Sequence, residues 1–348
     1  GNWCMMGRLA ECRPVSRVST MKALFIGGTG VISSACSRLA VERGIELWHL
    51  NRGKSSALRA VSGVRHLQGD IRDEASIRER LKGHRFDVVV NWVAFVPSHV
   101  EADIRLFSGL TDQYVFISSA SAYQTPPEKL PVTEDTPLDN PVWQYSRDKI
   151  ACERVLESAH VSNGFPYTIV RPSHTYDPSL IPVEGGYTVI SRMLRGKPVV
   201  VHGDGSSIWT LTHHRDFAKG LVGLLGKNEA IGQAYQITSD EWLTWNQILI
   251  TLGRAFGCEP ELVTIPSRII ARYDKAIGDS LLGDKTASMV FDNSKIKALV
   301  PNFHCEIPFS QGAKEIAAWY QTHPELCVMD PDLEAMFDHL IEDYGKAD

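Results

Sequence analysis

MKALFIGGTGVISS, residues 21–34, is the stretch whose reading decides the fold. Ala23 to Ile26 reads as a buried strand, Gly27-Gly28-Thr29-Gly30 as a turn, and a helix is expected from Val31. A strand that turns on glycines into a helix brings free backbone N–H groups and the positive helix end to one point. That point suits a diphosphate. Gly27 permits the tight turn, and Gly30 a close backbone approach to a ligand. The third small position is Ser33, so the spacing is G-x-x-G-x-x-S. Glycine turns of this kind also occur without a nucleotide, so the reading depends on the rest of the chain.

Beyond the turn, strands and helices alternate. Helical spacing runs from Val31 to Ala40, with Gly44 as a stop. Strands are expected at Ile45–Leu50, Val64–Leu67, Phe86–Val90, Gln113–Ile117 and Tyr167–Arg171. Between them helices are expected at about 74–82, 97–109 and 141–160. Strand–helix alternation with short connections predicts a doubly wound parallel α/β sheet, the Rossmann arrangement. Beyond Arg171 the pattern loosens into helical segments and short strands. The expected organisation is a flexible extension at 1–20, a dinucleotide-binding domain at 21–175 and a smaller substrate-binding region at 176–348. Residues at about 210–240 are expected to return to the first domain.

The chain has 348 residues, 43% hydrophobic and 22% charged, an ordinary balance for a soluble globular protein with a sizeable core. A net charge of −5 without a basic run argues against nucleic acid as the main partner. Seven cysteines without a C-x-x-C pair read as reduced thiols, and Cys36 and Cys152 as small core residues. No apolar run approaches the roughly 18 residues of a membrane span. The expected compartment is cytoplasmic.

The chemistry centres on Ser119, Tyr145 and Lys149. Tyr145 and Lys149 lie four residues apart on a helix, hence on one face. A free tyrosine has a pKa of about 10 and is a poor base at neutral pH, but a nearby ammonium favours its phenolate. Ser119 follows the fifth strand, at the end of the sheet where ligands bind. Its hydroxyl is placed to hold a substrate oxygen while the pair moves a proton. The bland alternative is an incidental Tyr–Lys pair on a solvated face.

These pieces together resemble an extended short-chain dehydrogenase/reductase of the NAD(P)-dependent epimerase and dehydratase group. The matching segments are GGTGVIS at 27–33, GDIRD at 69–73, ISSASAY at 117–123, YSRDK at 145–149, RPSHTYDP at 171–178 and HHRDFAKG at 213–220. The resemblance implies Tyr145 as general acid/base, Lys149 on the nicotinamide ribose and Ser119 on the substrate oxygen. It implies Gly27, Thr29, Gly30, Val31 and Ile32 around the diphosphate, and Asp70 and Ile71 at adenine. Asn51, Arg52, Val93 and Pro172 complete the implied cofactor set. It also implies a homodimer paired through the helices at about 97–109 and 142–160.

Three departures from the family pattern bear on specificity. Where an NAD-selecting chain carries an acid, this one has Asn51 followed by Arg52, with Lys54 beyond. Arginine suits a phosphate through its planar fork, so NADP is expected over NAD. Where sugar-nucleotide members carry a diphosphate-gripping arginine, Trp209 stands, with Arg192 and Arg195 as candidates to compensate. His174 replaces a frequent asparagine. It is either a substrate hydrogen-bond donor, a second acid/base, or a packed histidine. Phe95 and Trp143 are candidates to line the substrate pocket.

The dehydratase Asp-Glu pair is Ala120-Ser121 here, which disfavours sugar dehydration. No metal is expected, since the neighbouring positions His213, His214 and Asp216 at a helix start point in different directions and no third ligand is evident. The expected activity is oxidation, reduction or epimerisation of a secondary alcohol or ketone on a small sugar-like substrate. The alternative is a nucleotide-sensing or RNA-associated binding protein, because chloroplast stem-loop-binding proteins of this fold share the Asn-Arg-Gly after the second strand.

Overall fold

In a computed structural model, residues 20–54 and 57–345 are described. The expectation for the N-terminal extension falls, apart from Thr20, outside them. The chain builds β1 Lys22–Ile26, α1 Val31–Glu42, β2 Glu46–Asn51, β3 Arg65–Gln68, α2 Glu74–Arg80, β4 Phe86–Asn91, α3 Pro97–Phe107, β5 Thr111–Ile117, α4 Gln144–Asn163 and β6 Tyr167–Pro172. A seventh strand, Gln233–Ile237, pairs in parallel with β6. The sheet order is Gln233–Ile237, β6, β5, β4, β1, β2, β3. All pairings in it are parallel.

A parallel sheet covered on both faces needs apolar residues at every strand position. The central strands supply them. Ala23 and Phe25 of β1, with Val115 and Ile117 of β5, pack toward α1 and the helix α6 formed by His214–Leu224, after α5 at Tyr187–Leu194. Leu24 and Ile26, with Tyr114 and Phe116, face the opposite cluster, which holds Val100 and Leu106 of α3 and Cys152 and Leu156 of α4. Cys36 and Cys152 are both fully buried, in opposite layers. α1 packs directly against α6, which ties residues beyond 210 to the sheet.

The remaining residues form a third cluster around Trp209, Trp245, Ile248, Phe291 and Phe309. Here the sequence reading was incomplete. The strand Leu262–Ile265, which pairs with Val199–His202, and the helices Ser267–Tyr273, Lys275–Ser280 and Ser294–Leu299 were not anticipated. Each is shorter than two helical turns or four residues long, too short for a periodic signal. Trp242 is 53% exposed, whereas Trp245 is buried.

The parallel order brings the C-terminal ends of β1, β4, β5 and β6 to one edge. Gly27, Val93, Ser119 and Pro172 stand there together.

Candidate active site

The glycine turn is built as its residue types require. Gly27 has φ +91° and Gly28 φ +115°, a region that favours glycine. A Cβ on Gly28 would lie 2.5 Å from His49 Nε2, and His49 is held there by the Ser37 hydroxyl at 2.8 Å. Ser33 is more than a small residue. Its hydroxyl accepts from the Gly30 N–H at 2.7 Å and closes the start of α1. Gly28→Ala is therefore expected to cost about 1–3 kcal/mol of stability through backbone strain and the His49 clash, and to weaken cofactor binding. Denaturant unfolding and cofactor titration check this.

Along this edge runs a groove of about 380 Å³ lined by Gly27, Thr29, Asn51, Arg52, Asp70, Ile71 and Val93. Lys54, Arg72 and Phe95 line it too. Seven of the residues expected around a dinucleotide are thus brought together, from the ends of four strands, β1 to β4. Gly30, Val31 and Ile32 open α1 beside the groove, and Pro172 ends β6. Phe95, expected at the substrate, lines this groove instead, with the Lys149 ammonium 5.0 Å from its ring. Arg72, which donates to the Val93 carbonyl, is an addition that the sequence reading did not single out. The glycine-rich turn and the apolar floor of Ile26 and Leu50 fit a dinucleotide, and the cations Arg52 and Lys54 stand at the β2 end.

A second cavity of about 270 Å³ lies across α4. Ser119, Ala120, Ser121, Trp143 and Tyr145 form one side, and Ser173, His174, Thr175 and Trp209 another. Asp284, Lys285, Met289 and Phe291 close it. Ser119 and Tyr145 therefore face one space, and Lys149 sits between that space and the groove.

Lys149 is 3% exposed. Its ammonium donates to the carbonyls of Ala94 at 2.9 Å and Ile117 at 2.8 Å, the ends of β4 and β5. Burial brings its pKa down to about 8. It lies 5.7 Å from the Tyr145 ring. The expected depression of the Tyr145 pKa is not what this arrangement gives. Burial raises the phenol, the hydrogen bond with Ser119 lowers it, and the charge of Asp284 raises it further. The lysine charge is directed at strand carbonyls, so any phenolate here depends on positive charge added in the groove. Tyr145 keeps 36% of its surface open. Ser119 is held in turn, with its oxygen 2.8 Å from the Ser121 hydroxyl, which accepts from Ser146 at 2.7 Å.

His174 and Trp209 are committed to each other, the indole N–H donating to His174 Nδ1 at 3.0 Å. Burial, then the Lys285 charge, brings the His174 pKa down to about 3. The ring is neutral at pH 7, with its proton on Nε2, so the arrangement leaves a donor and not a second acid/base. Trp209 is a 3%-exposed wall residue. Arg192 and Arg195 do not compensate for the missing arginine. Arg192 is buried against Asp338 at 2.8 Å and Glu334 at 3.2 Å, and Arg195 pairs with Glu334 at 2.8 Å. His213 is bonded to Glu315 at 2.7 Å, and Asp216 accepts from the backbone of Glu306 and Ile307. Asp284, Lys285, Met289 and Phe291 were missed because they lie in a stretch with neither motif nor period.

A model of the NAD dependent epimerase/dehydratase family matches residues 23–238, more than half of the chain. The chain is 29% identical over 263 residues to a chloroplast stem-loop binding protein of 41 kDa from Arabidopsis thaliana, covering 72% of this chain and 67% of that protein. It is 32% identical over 168 residues to a UDP-glucose 4-epimerase from Lactobacillus helveticus, covering 43% of this chain and 51% of that enzyme. The solved structure of an epimerase from Methanothermobacter thermautotrophicus matches with a TM-score of 0.72 at 18% identity, over 88% of this chain and 94% of that one. At that identity the likeness concerns the fold alone.

Proposed function

The chain belongs to the NAD dependent epimerase/dehydratase family, and on that premise we propose that it is an NADP-preferring oxidoreductase or epimerase acting on a secondary alcohol or ketone of a small sugar-like substrate. The observation that carries this is that Tyr145 and Ser119 line the cavity together, with the Lys149 ammonium 5.7 Å from the Tyr145 ring and 5.0 Å from Phe95 of the groove. When bound in the groove, the nicotinamide supplies or accepts the hydride.

The chain's residues do the rest. Ser119 holds the reacting oxygen, and Tyr145 takes or returns its proton. Lys149 holds the ribose side of the groove and is fixed by the two strand carbonyls. His174 donates from Nε2 to a further substrate oxygen. Gly27, Thr29, Gly30, Val31 and Ile32 hold the diphosphate, Asp70 and Ile71 the adenine, and Val93 and Pro172 the nicotinamide end. The cofactor unit is placed at 21–175 and the substrate region at 176–348, with about 210–240 returning to the sheet. A homodimer through α3 and α4 and a cytoplasmic location complete the proposal. No described helix is long and apolar enough to cross a membrane.

NADP preference rests on Arg52 and Lys54 at the groove and the absence of an acid at Asn51. Arg52→Ala is expected to lower the ratio of NADP to NAD affinity about tenfold, since a charged hydrogen bond to phosphate is lost. Titration of both cofactors checks it, and equal or tighter NAD binding by the wild type refutes the preference.

The stem-loop binding relative favours a second reading, RNA association without turnover. A gel-shift titration with a structured RNA, alongside a Tyr145→Phe assay, separates the two. RNA binding untouched by Tyr145→Phe, with no cofactor turnover, would support the second.

A further inference from the structure

The cavity's far wall is made by a turn that lies beyond the family match at 23–238. Leu281–Lys285 is a π-helical turn following the helix Lys275–Ser280, a rare geometry that recurs at functional sites. It is fastened to the Ser119 corner. The Asn140 amide donates both to the Ser121 carbonyl at 2.9 Å and to the Gly283 carbonyl at 2.7 Å. Gly283 lies so close to Trp143 that a Cβ there would be 2.7 Å from the Trp143 Cβ. Asp284, the next residue, is thereby set against the same space as Tyr145.

The charges on this wall are unbalanced for an anionic ligand. Asp284 and Lys285 are the charged side chains among the described residues that line the cavity. The Lys285 ammonium is shared, donating to the Ser280 hydroxyl at 2.6 Å and pairing with Glu184 at 3.5 Å, and stands 5.6 Å from the Trp143 ring. It also pairs with Asp284, at 3.9 Å. The carboxylate thus lines the cavity beside a counter-charge that it shares with Glu184. Arg192 and Arg195 are spent on the C-terminal helix. A diphosphate entering here meets a carboxylate, an ammonium already shared between Glu184 and Asp284, and no arginine.

We propose that Asp284 is a specificity-determining residue, whose carboxylate accepts hydrogen bonds from hydroxyls of a neutral polyhydroxylated substrate and repels a phosphorylated or nucleotide-linked one. This deepens the function proposed above and rests on it for the reaction, though not for the ligand preference. Carboxylate oxygens accept only, and sugar or cyclitol hydroxyls donate; the neutral His174 Nε2–H supplies a complementary donor. Rejection of the anion comes from a like charge placed in the pocket.

The groups that face Asp284 are Lys285 on its own turn, Glu184 from the loop before α5 and Tyr145 of α4. Burial raises its pKa to about 6, with Lys285 lowering and Glu184 raising it. Its charge is therefore present above about pH 6 and lost below.

The test is calorimetric titration of the NADP-loaded protein with UDP, and separately with myo-inositol and glucose, at pH 7.5 and pH 5. Wild type is expected to bind UDP no tighter than about 1 mM at pH 7.5. Asp284→Asn is expected to tighten UDP about tenfold at pH 7.5, a gain that shrinks at pH 5 where wild-type Asp284 is already neutral. The same change should weaken the neutral polyol that binds, and Asp284→Glu should retain the wild-type order. Micromolar UDP binding by wild type, or identical UDP affinity in wild type and Asp284→Asn at both pH values, would overturn the inference. An unfolding midpoint for each variant shows that the turn has formed. UDP binding needs no turnover, so this outcome is separate from failure of the Tyr145 assay.

Discussion

Tyr145→Phe is expected to lower kcat by about 10²–10⁴-fold, the usual contribution of a positioned acid/base, with cofactor affinity changed by less than about twofold. The ring stays, so its contact with Trp143 at 4.9 Å and its place near Lys149 stay. What goes is the hydroxyl that Ser119 bonds and whose pKa burial and Asp284 hold up. The sign of the pH profile follows from that raised pKa. A phenolate needed for oxidation forms only as pH rises, so the oxidative rate should climb through the alkaline range and flatten once the cofactor's positive charge has brought the tyrosine into it. Reduction needs the protonated phenol and should fall over the same range. Steady-state kinetics in both directions, with cofactor fluorescence for affinity, measure this. A Tyr145→Phe enzyme that turns over at the wild-type rate would remove the proposed mechanism.

Glu153→Ala is expected to destabilise the fold by about 3–5 kcal/mol, because it strands a buried guanidinium. Arg171 and Glu153 are 4% and 0% exposed and meet in two bonds, at 2.8 and 3.0 Å. Arg171 also donates to Tyr123, which bonds Gln236 of the seventh strand at 3.0 Å. Burial works against the arginine's charge, and Glu153 and Tyr123 more than restore it, leaving its pKa raised. The pair therefore links α4, β6 and the seventh strand just beneath Ser173 and His174. Urea unfolding should show the loss as a lower midpoint. Glu153→Gln, which keeps the packing and one acceptor but not the charge, should lose less, and an equal loss in both would mean that the charge alone carries the effect.

The sheet was readable because its physics is local. Ala23 to Ile26, Phe86 to Val90 and Gln113 to Ile117 are apolar at nearly every position, which only a doubly covered parallel sheet demands. The helix stops were readable where a residue type forces a conformation, as at Gly44 with φ +79°. The C-terminal half was less readable. Its short elements, Leu262–Ile265 and Lys275–Ser280 among them, are stabilised by the cluster around Trp245 and Phe309 and not by their own periodicity.

The sequence alone determined the glycine turn, the order of strands and helices, and the Tyr145–Lys149 face, because each depends on neighbours within a few residues. Only the tertiary structure decided which charges reach the cavity. Arg192 and Arg195, free to bind an anion on paper, are captured by Glu334 and Asp338 from more than 130 positions away. His174 becomes neutral because the fold buries it, with the Lys285 charge adding to the effect. Asp284, with no motif to mark it, enters the site because Asn140 ties Gly283 to Ser121. Charge, protonation and access depend on contacts distant in the chain, and local pattern does not encode them.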